Sequence, residues 1–235
     1  MFCVRLRVRF SKLGKVRWTS QRDVARMWER VIRRAGLPVA YSKGFSPRPL
    51  LSFGLGLPTG CESTAEYLDM VMEHPVDQGG LAPELSALLP GGIDVLALAE
   101  VAGDAGSLQQ DVTSCTWEMA VAEASDGELA ERIASALAAE SLPFVRERKG
   151  REQAADLRPA IVSLEQYRSD GCRAVLVAEL STRPLGVRPV ELASTLGVKS
   201  SSTRRTHQWI DHGGAREEPL PLDAPNGARL EACAP

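Results

Sequence analysis

The chain has 235 residues, and 44% of them are hydrophobic, the proportion of a globular protein that buries a core. No apolar run approaches the ~18 residues of a membrane-spanning helix. Charges at every second position near the N-terminus also exclude the apolar core of a signal peptide. We therefore expect a cytoplasmic protein that does not enter a membrane.

The net charge of −2 conceals an uneven distribution of charge along the chain. Residues 1–60 contain 13 lysines and arginines but only two acidic residues, Asp23 and Glu29, whereas the remaining residues contain 15 basic and 28 acidic side chains. This split predicts that the first segment faces an anion, either an outside ligand or the acidic remainder of the chain.

The five cysteines and three histidines are scattered singly along the chain. Structural zinc sites use ligands paired at short spacing, and iron–sulfur sites use clustered thiolates, and neither pattern occurs here. Isolated cysteines in an odd number are typical of reduced thiols in a reducing compartment. The sequence therefore predicts no metal and no cofactor.

The first predicted element is a strand over residues 3–10, in which apolar and basic side chains alternate. Arg5, Arg7 and Arg9 share one face, and the opposite face consists of Val4, Leu6, Val8 and Phe10. Alternation with a period of two is typical of a strand that is buried on one side.

A helix is predicted next, starting at the capping-box-like pair Ser20 and Asp23. Apolar residues then recur at helical spacing, and Gly36 and Pro38 end the helix. We expect Trp28 to pack on the apolar face of the first strand, and the outer face of the helix carries Arg22, Arg26, Arg30 and Arg33.

The remaining elements predict an α+β protein with two tandem ferredoxin-like units. A strand within 50–58, a strand over 66–72, a helix over 81–89 and a strand over 93–98 complete a β-α-β-β-α-β unit. A second, less regular unit follows, with strands at 115–121, from 144, at 158–164 and at 173–180, and with helices at 126–140 and 189–196. The predicted boundaries are 1–102 and 112–212, and residues 213–235, rich in Gly, Pro and Ala, are predicted to be a disordered tail.

The arginine face of the first strand has two interpretations. In a two-layer ferredoxin-like unit one sheet face is bare, and nucleic-acid modules of this topology bind RNA there. Alternatively, the face is solvated or packs on an acidic partner domain. RNA-binding surfaces usually carry aromatic residues on which bases stack, and this strand has none between its arginines. This observation argues against the RNA interpretation.

Three further groups of residues suit an anion. The loop residues Lys43, Phe45 and Arg48 lie in a Gly- and Pro-rich segment whose amides could also hold a phosphate, although it lacks the spacing of a nucleotide-binding loop. Lys15 and Arg17 extend the basic segment after the first strand. Arg204 and Arg205 lie in a serine-rich stretch that we predict to be a flexible anion-contacting arm or a solvated loop.

Six segments of the chain match a known pattern: RFSKLGKVRWTSQRD at 9–23, RAGLP at 34–38, YSKGFSPRP at 41–49, EYLD at 66–69, DLRP at 156–159 and the Arg-Pro pair at 188–189. With these segments the chain resembles the radical-SAM-linked protein family, long catalogued as a domain of unknown function. The resemblance implies a radical SAM protein as the partner, because family members are fused behind, or encoded beside, cobalamin-type radical SAM proteins. It implies no established activity. Gln21 and Arg48 stand where the family usually has histidines, which argues against a catalytic histidine at either place.

The leading functional hypothesis is an accessory protein that binds structured RNA, such as tRNA or rRNA, and presents it to a radical SAM enzyme. One alternative is a protein–protein docking module without RNA, whose basic segment binds an acidic enzyme surface. A second alternative is an RNA-processing enzyme that acts at the Lys43–Arg48 loop.

Overall fold

The computed structural model describes residues 4–101, 106–122, 125–148, 150–168, 174–222 and 229–230. The chain divides into two compact units: Met1–Val112 with Ile210–Pro235, and Thr113–Trp209. In chain order the elements are β1 (Val4–Lys12), α1 (Gln21–Arg34), β2 (Leu51–Phe53), β3 (Glu62–Met72), α2 (Leu81–Leu88), β4 (Val95–Val101), α3 (Leu108–Asp111), β5 (Val112–Ala122), α4 (Asp126–Ala138), β6 (Pro143–Arg148), β7 (Arg151–Asp156), β8 (Ile161–Arg168), β9 (Ala174–Ser181), α5 (Pro189–Thr195), β10 (Lys199–Asp211), β11 (Arg216–Glu217) and β12 (Arg229–Leu230).

The described part of the chain is a mixed α/β structure with five helices and mostly antiparallel sheets. Within these described residues no helix has both the length and the apolar character needed to cross a membrane.

In the first unit, β1 lies between β3 and β4 and is antiparallel to both, and β2 pairs with the other edge of β3. The strand order is therefore β4-β1-β3-β2, and β12 adds a short parallel pairing to β4. The helices α1 and α2 pack on the apolar face of this sheet. Trp28 is fully buried there, as predicted, with its ring 5.2 Å from that of Phe10 in an edge-to-face contact.

The start of α1 follows from the predicted capping box. The Ser20 hydroxyl accepts a hydrogen bond from the Asp23 backbone N–H, and the Asp23 carboxylate accepts one from the Ser20 N–H. The helix ends before Gly36, whose φ of +64° lies in the left-handed region that glycine adopts most easily.

The opposite face of this sheet is covered by the C-terminal segment of the chain. Leu220 is fully buried with Tyr67 and Leu108, in a small apolar cluster that also contains Ala65, Ala97 and Ala99. Of the predicted disordered tail, 213–235, residues 213–222 and 229–230 are described, and they include β11 and β12; the rest lies outside the described residues. A tail prediction based on Gly and Pro content missed this packing because a single buried leucine produces no periodic pattern.

The second unit has the strand order β10-β5-β9-β8, and both β5 and β8 pair with β9 antiparallel. The helix α4 packs on β8 and β9, and the hairpin β6–β7 forms a separate two-stranded sheet. The stretch predicted as a flexible arm or solvated loop is instead the 13-residue strand β10. Its serines and threonines hide the alternation of a strand, but Arg205, Gln208 and Ile210 are buried.

Candidate functional site

Arg7, on the predicted arginine face of β1, forms a buried ion pair with Asp69. It lies directly opposite Asp69 of β3, and its Nε and Nη2 donate to the two carboxylate oxygens at 2.8 and 2.9 Å. Only 6% of Arg7 is exposed, and its Nη1 also donates to the backbone carbonyl of Pro219. Arg5 is less buried, with its Nη1 3.7 Å from an Asp69 oxygen. All three guanidinium nitrogens of Arg7 therefore have acceptors inside the fold, which leaves no guanidinium edge for a ligand.

Arg9 is enclosed even more completely, with 1% of its surface exposed. Its Nη1 donates to the Glu218 carboxylate at 2.8 Å and to the Leu220 carbonyl at 3.1 Å, and its Nε donates to the Thr64 carbonyl. Its guanidinium also lies over the ring of Tyr67. A buried charge must be paired in this way because desolvation would otherwise be prohibitive. Of the two interpretations of this strand face, the bare, RNA-binding one does not fit Arg7 and Arg9, because the chain's own C-terminal segment covers both.

The turn after β1 places Lys15 and an aromatic ring at the surface. Trp18 is 64% exposed, and the Arg17 guanidinium lies 5.2 Å from its ring centroid while Arg17 Nη1 is 3.7 Å from a Glu62 oxygen. The ring rests against Gly60, where an added Cβ would come within 2.9 Å of Trp18 Cζ3. The indole is thus held in place while most of it faces solvent.

The loop predicted as a phosphate-holding segment is also exposed. Its ends are joined by a hydrogen bond from the Ser42 N–H to the Arg48 carbonyl at 2.8 Å, and the Arg48 N–H donates to the Ser42 hydroxyl. Between them Phe45 is completely exposed, and Lys43 and Arg48 point to the surface. Neither basic side chain forms a hydrogen bond or ion pair with any residue that the structure describes. A fully exposed phenylalanine between two unpaired cations suits a ligand with aromatic rings and negative charge.

These two surface groups lie at opposite ends of β3. The turn contacts Glu62, through the hydrogen bond from the Gly14 N–H to its carboxylate, whereas the base of the loop is held by Ala40 N–H donating to the Val71 carbonyl. Val71 lies nine positions after Glu62, which corresponds to about 30 Å of extended strand. The sequence had placed these residues in one basic segment without showing that they are so far apart.

A row of arginines on α1 connects the two ends, and it was not among the predicted site residues. Arg22, Arg26, Arg30 and Arg34 recur every fourth residue, so they follow one face of the helix over about 18 Å. The helix begins three residues after Trp18, and the chain beyond it pairs at Val39 with Met72, at the loop end of β3. We call these four residues the arginine ridge. Their i, i+4 spacing was visible in the sequence.

Partners within the arginine ridge are few. Arg26 lies 3.7 Å from the carboxylate of Asp23. The pKa of Asp23 is lowered mainly by the hydrogen bond that the Ser20 hydroxyl donates to it, and further by the positive charges of Arg26 and Arg22. For Arg22, Arg30 and Arg34 no hydrogen bond or ion pair is present within the described ranges of the chain. Like charges one turn apart destabilise a helix, so this arrangement favours a bound anion.

The predicted pair in the second unit separates into one buried and one exposed residue. Arg205 is 1% exposed, with its guanidinium over the ring of Trp117 at 5.4 Å, whereas Arg204 faces solvent. Both lie on β10. Arg205 is therefore part of the packing of the second unit.

Clear pKa departures occur at carboxyl groups near turns and helix starts, and at Tyr167 of strand β8. Backbone N–H groups lower the pKa of Glu128, at Ser125, and of Asp156, at Leu142 and Arg158, while burial raises the pKa of Tyr167. Over the same described ranges, no group of three or more His, Cys, Asp and Glu side chains is arranged to hold a metal ion. The site that stands out is thus the exposed basic and aromatic surface of the first unit.

Comparisons with known proteins identify a family but no activity. A model of the family described as "Uncharacterized protein conserved in bacteria (DUF2344)" matches residues 5–189. A search of curated proteins gave no match. Among solved structures, the chain is similar to one in the crystal structure of a Cbf5–Nop10–Gar1 complex, with 9% identity and a TM-score of 0.46. That similarity covers 88% of this chain and 49% of the other, so the chain spans about half the length of that structure. On the family match, the chain belongs to DUF2344, a family of uncharacterized proteins conserved in bacteria.

Proposed function

We propose that this protein is an RNA-binding accessory protein of a radical SAM enzyme, and that the RNA lies on the helix-bearing side of the first unit. The association with a radical SAM enzyme rests on the sequence resemblance. RNA binding rests on the exposed surface of the first unit, where exposed cations accompany two solvent-facing aromatic rings.

The strand orders support the ferredoxin-like interpretation of both units. In the first unit β4-β1-β3-β2, and in the second β10-β5-β9-β8, the first strand lies between the third and the fourth, as a β-α-β-β-α-β arrangement requires. In the first unit the sheet face that such modules use for RNA is occupied by Arg7, Arg9 and Leu220. The proposal therefore moves the RNA from the sheet to the helices.

The observation that carries the proposal is the combination of free charge and exposed aromatic surface at each end. In the chain Trp18 lies between Lys15 and Arg22, the first residue of the arginine ridge, and Phe45 lies between Lys43 and Arg48; all of these side chains are exposed. Lysine and arginine neutralise phosphates, and exposed aromatic rings stack on unpaired bases at about 1–3 kcal/mol per base. The sequence has these residues close together, but only the structure separates the exposed ones from the buried Arg7, Arg9 and Lys12.

The distance between the two ends indicates a polymeric ligand. The segments that carry Trp18 and Phe45 are anchored to β3 at points about 30 Å apart along the strand, which is longer than a mononucleotide. An RNA with unpaired bases at two points can contact both rings, and Arg22 and Arg26 lie on the helix between them.

Gel-shift titration of the purified protein with total cellular RNA tests this function. We expect binding at low salt, and a loss of at least about tenfold in affinity when Phe45→Ala is combined with Lys43→Gln and Arg48→Gln. The matched control is Arg151→Gln, which removes an exposed arginine from the second unit. No measurable affinity of the wild type, or equal losses per charge in the loop and control variants, would reject RNA binding at this surface.

A further inference from the structure

The groove between α1 and α2 differs from the rest of the basic surface. Its volume is about 360 Å³, and its lining is mainly aliphatic, formed by Met27, Val31, Leu88, Leu89 and Pro90. Arg30 and Arg34, the last two members of the arginine ridge, also line it. Helix packing explains the groove, because α2 is only eight residues long and ends at Leu88 while α1 has 14 residues.

The two arginines have no acidic partner within the described parts of the chain. Asp23 is engaged by Ser20 and Arg26 at the other end of the helix, and Glu29 and Glu84, the other carboxylates on α1 and α2, form no ion pair with either guanidinium. A positive rim thus stands over an apolar floor, and the described residues supply no acidic partner for the rim.

We infer that this groove docks a segment of a partner protein: an amphipathic helix that inserts a large apolar side chain and presents acidic residues to Arg30 and Arg34. Helices bind grooves of this kind through apolar anchors spaced three or four residues apart. Arginines at the rim pair with carboxylates and fix the orientation of the bound helix. The inference is independent of RNA binding, because it depends on the groove and not on the loop or on Trp18.

The aliphatic lining favours a protein over RNA in this groove. Unpaired bases are bound by stacking on aromatic or guanidinium planes, and five of the seven residues that line the groove have neither. A leucine or phenylalanine of a partner helix matches the lining directly. The area that such a side chain buries also adds to the affinity.

Selection from a displayed library of helical peptides, with the full chain as target, tests the inference. The enriched peptides should combine Leu or Phe at helical spacing with adjacent Glu or Asp. Binding of the best peptide should weaken by about tenfold or more with Arg30→Gln/Arg34→Gln, and similarly with Leu88→Gln, which alters the floor. The double arginine variant changes only exposed side chains, so it keeps the test valid if the Leu88 variant does not fold.

The control variant is Arg22→Gln/Arg33→Gln, which removes the same charge from the same helix outside the groove. It should leave peptide binding within about twofold of the wild type. Failure to enrich any peptide, or enriched peptides that tolerate both groove variants, would overturn the inference. It would also be overturned if Arg30→Gln/Arg34→Gln weakened RNA binding while peptide binding stayed unchanged, since the pair would then belong to the RNA surface.

Discussion

The guanidinium of Arg7 and the carboxylate of Asp69 face each other across the pairing of β1 with β3 and form two hydrogen bonds of 2.8 and 2.9 Å. Both side chains are almost fully buried. One of the basic side chains of the first segment is thus buried in an ion pair inside the protein and is not available at the surface. The pairing also explains why an excess of arginine in a sequence is not by itself a measure of the surface available to RNA.

Asp69→Asn should destabilise the protein by about 3–5 kcal/mol, because it leaves Arg7 charged and uncompensated in a buried position. The free energy of unfolding in urea measures this, with the exposed Asp94→Asn as a control that should change it by no more than about 0.5 kcal/mol. A loss below about 1 kcal/mol for Asp69→Asn would show that the pair is not buried as described.

Trp28→Ala should cost about 3–5 kcal/mol, as the removal of a large core aromatic does. Its ring is fully buried, in contact with Phe10, within the core cluster that also contains Leu6 and Val8. Trp18→Ala is the matched control, because that ring is 64% exposed and its loss should cost at most about 1 kcal/mol. Equal costs for the two tryptophans in urea unfolding would contradict the described core.

Leu220→Ala should destabilise the protein by about 2–5 kcal/mol, because Leu220 closes the small apolar cluster on the second face of the first sheet. Leu222 is two residues away and 56% exposed, so Leu222→Ala should have little effect on the free energy of unfolding. If Leu220→Ala and Leu222→Ala lowered the free energy of unfolding by the same amount, the C-terminal segment would not cover that face.

Asp156 should make a pH-dependent contribution to stability. The Leu142 and Arg158 N–H groups donate to its carboxylate and lower its pKa in the folded state. The unfolded chain therefore binds the proton more readily, so the contribution is present above the unfolded pKa of about 3.9 and disappears as the pH falls through the lower, folded value. The difference in unfolding free energy between wild type and Asp156→Asn should follow that course, and a difference independent of pH from 7 down to 2 would refute this role.

The local elements could be predicted because their signals are local. Strict alternation indicated β1, and the capping box and the apolar spacing indicated α1 with Trp28 buried. These patterns are set by one face of one element, so a single sequence is enough to show them.

The covering of the arginine face could not be predicted from such patterns. Arg9 and Glu218 are 209 residues apart in the chain, and no local sequence pattern around either residue indicates that they form an ion pair. The strand β10 was also missed because Ser and Thr side chains mask its alternation. For the candidate site, the sequence supplied the right residue types, and the structure decided which of them remain at the surface.

The salt dependence of RNA affinity tests the central claim most directly. Each phosphate neutralised by a cation releases counterions, so the slope of log K against log salt is about −0.7 per contact for single-stranded RNA and about −0.9 for a duplex. If Lys43 and Arg48 each contact a phosphate, Lys43→Gln/Arg48→Gln should make the slope shallower by about 1.4 to 1.8, while Arg151→Gln leaves it unchanged. A wild type that binds RNA with the same slope as the loop variant, or that does not bind RNA at low salt, would contradict the account.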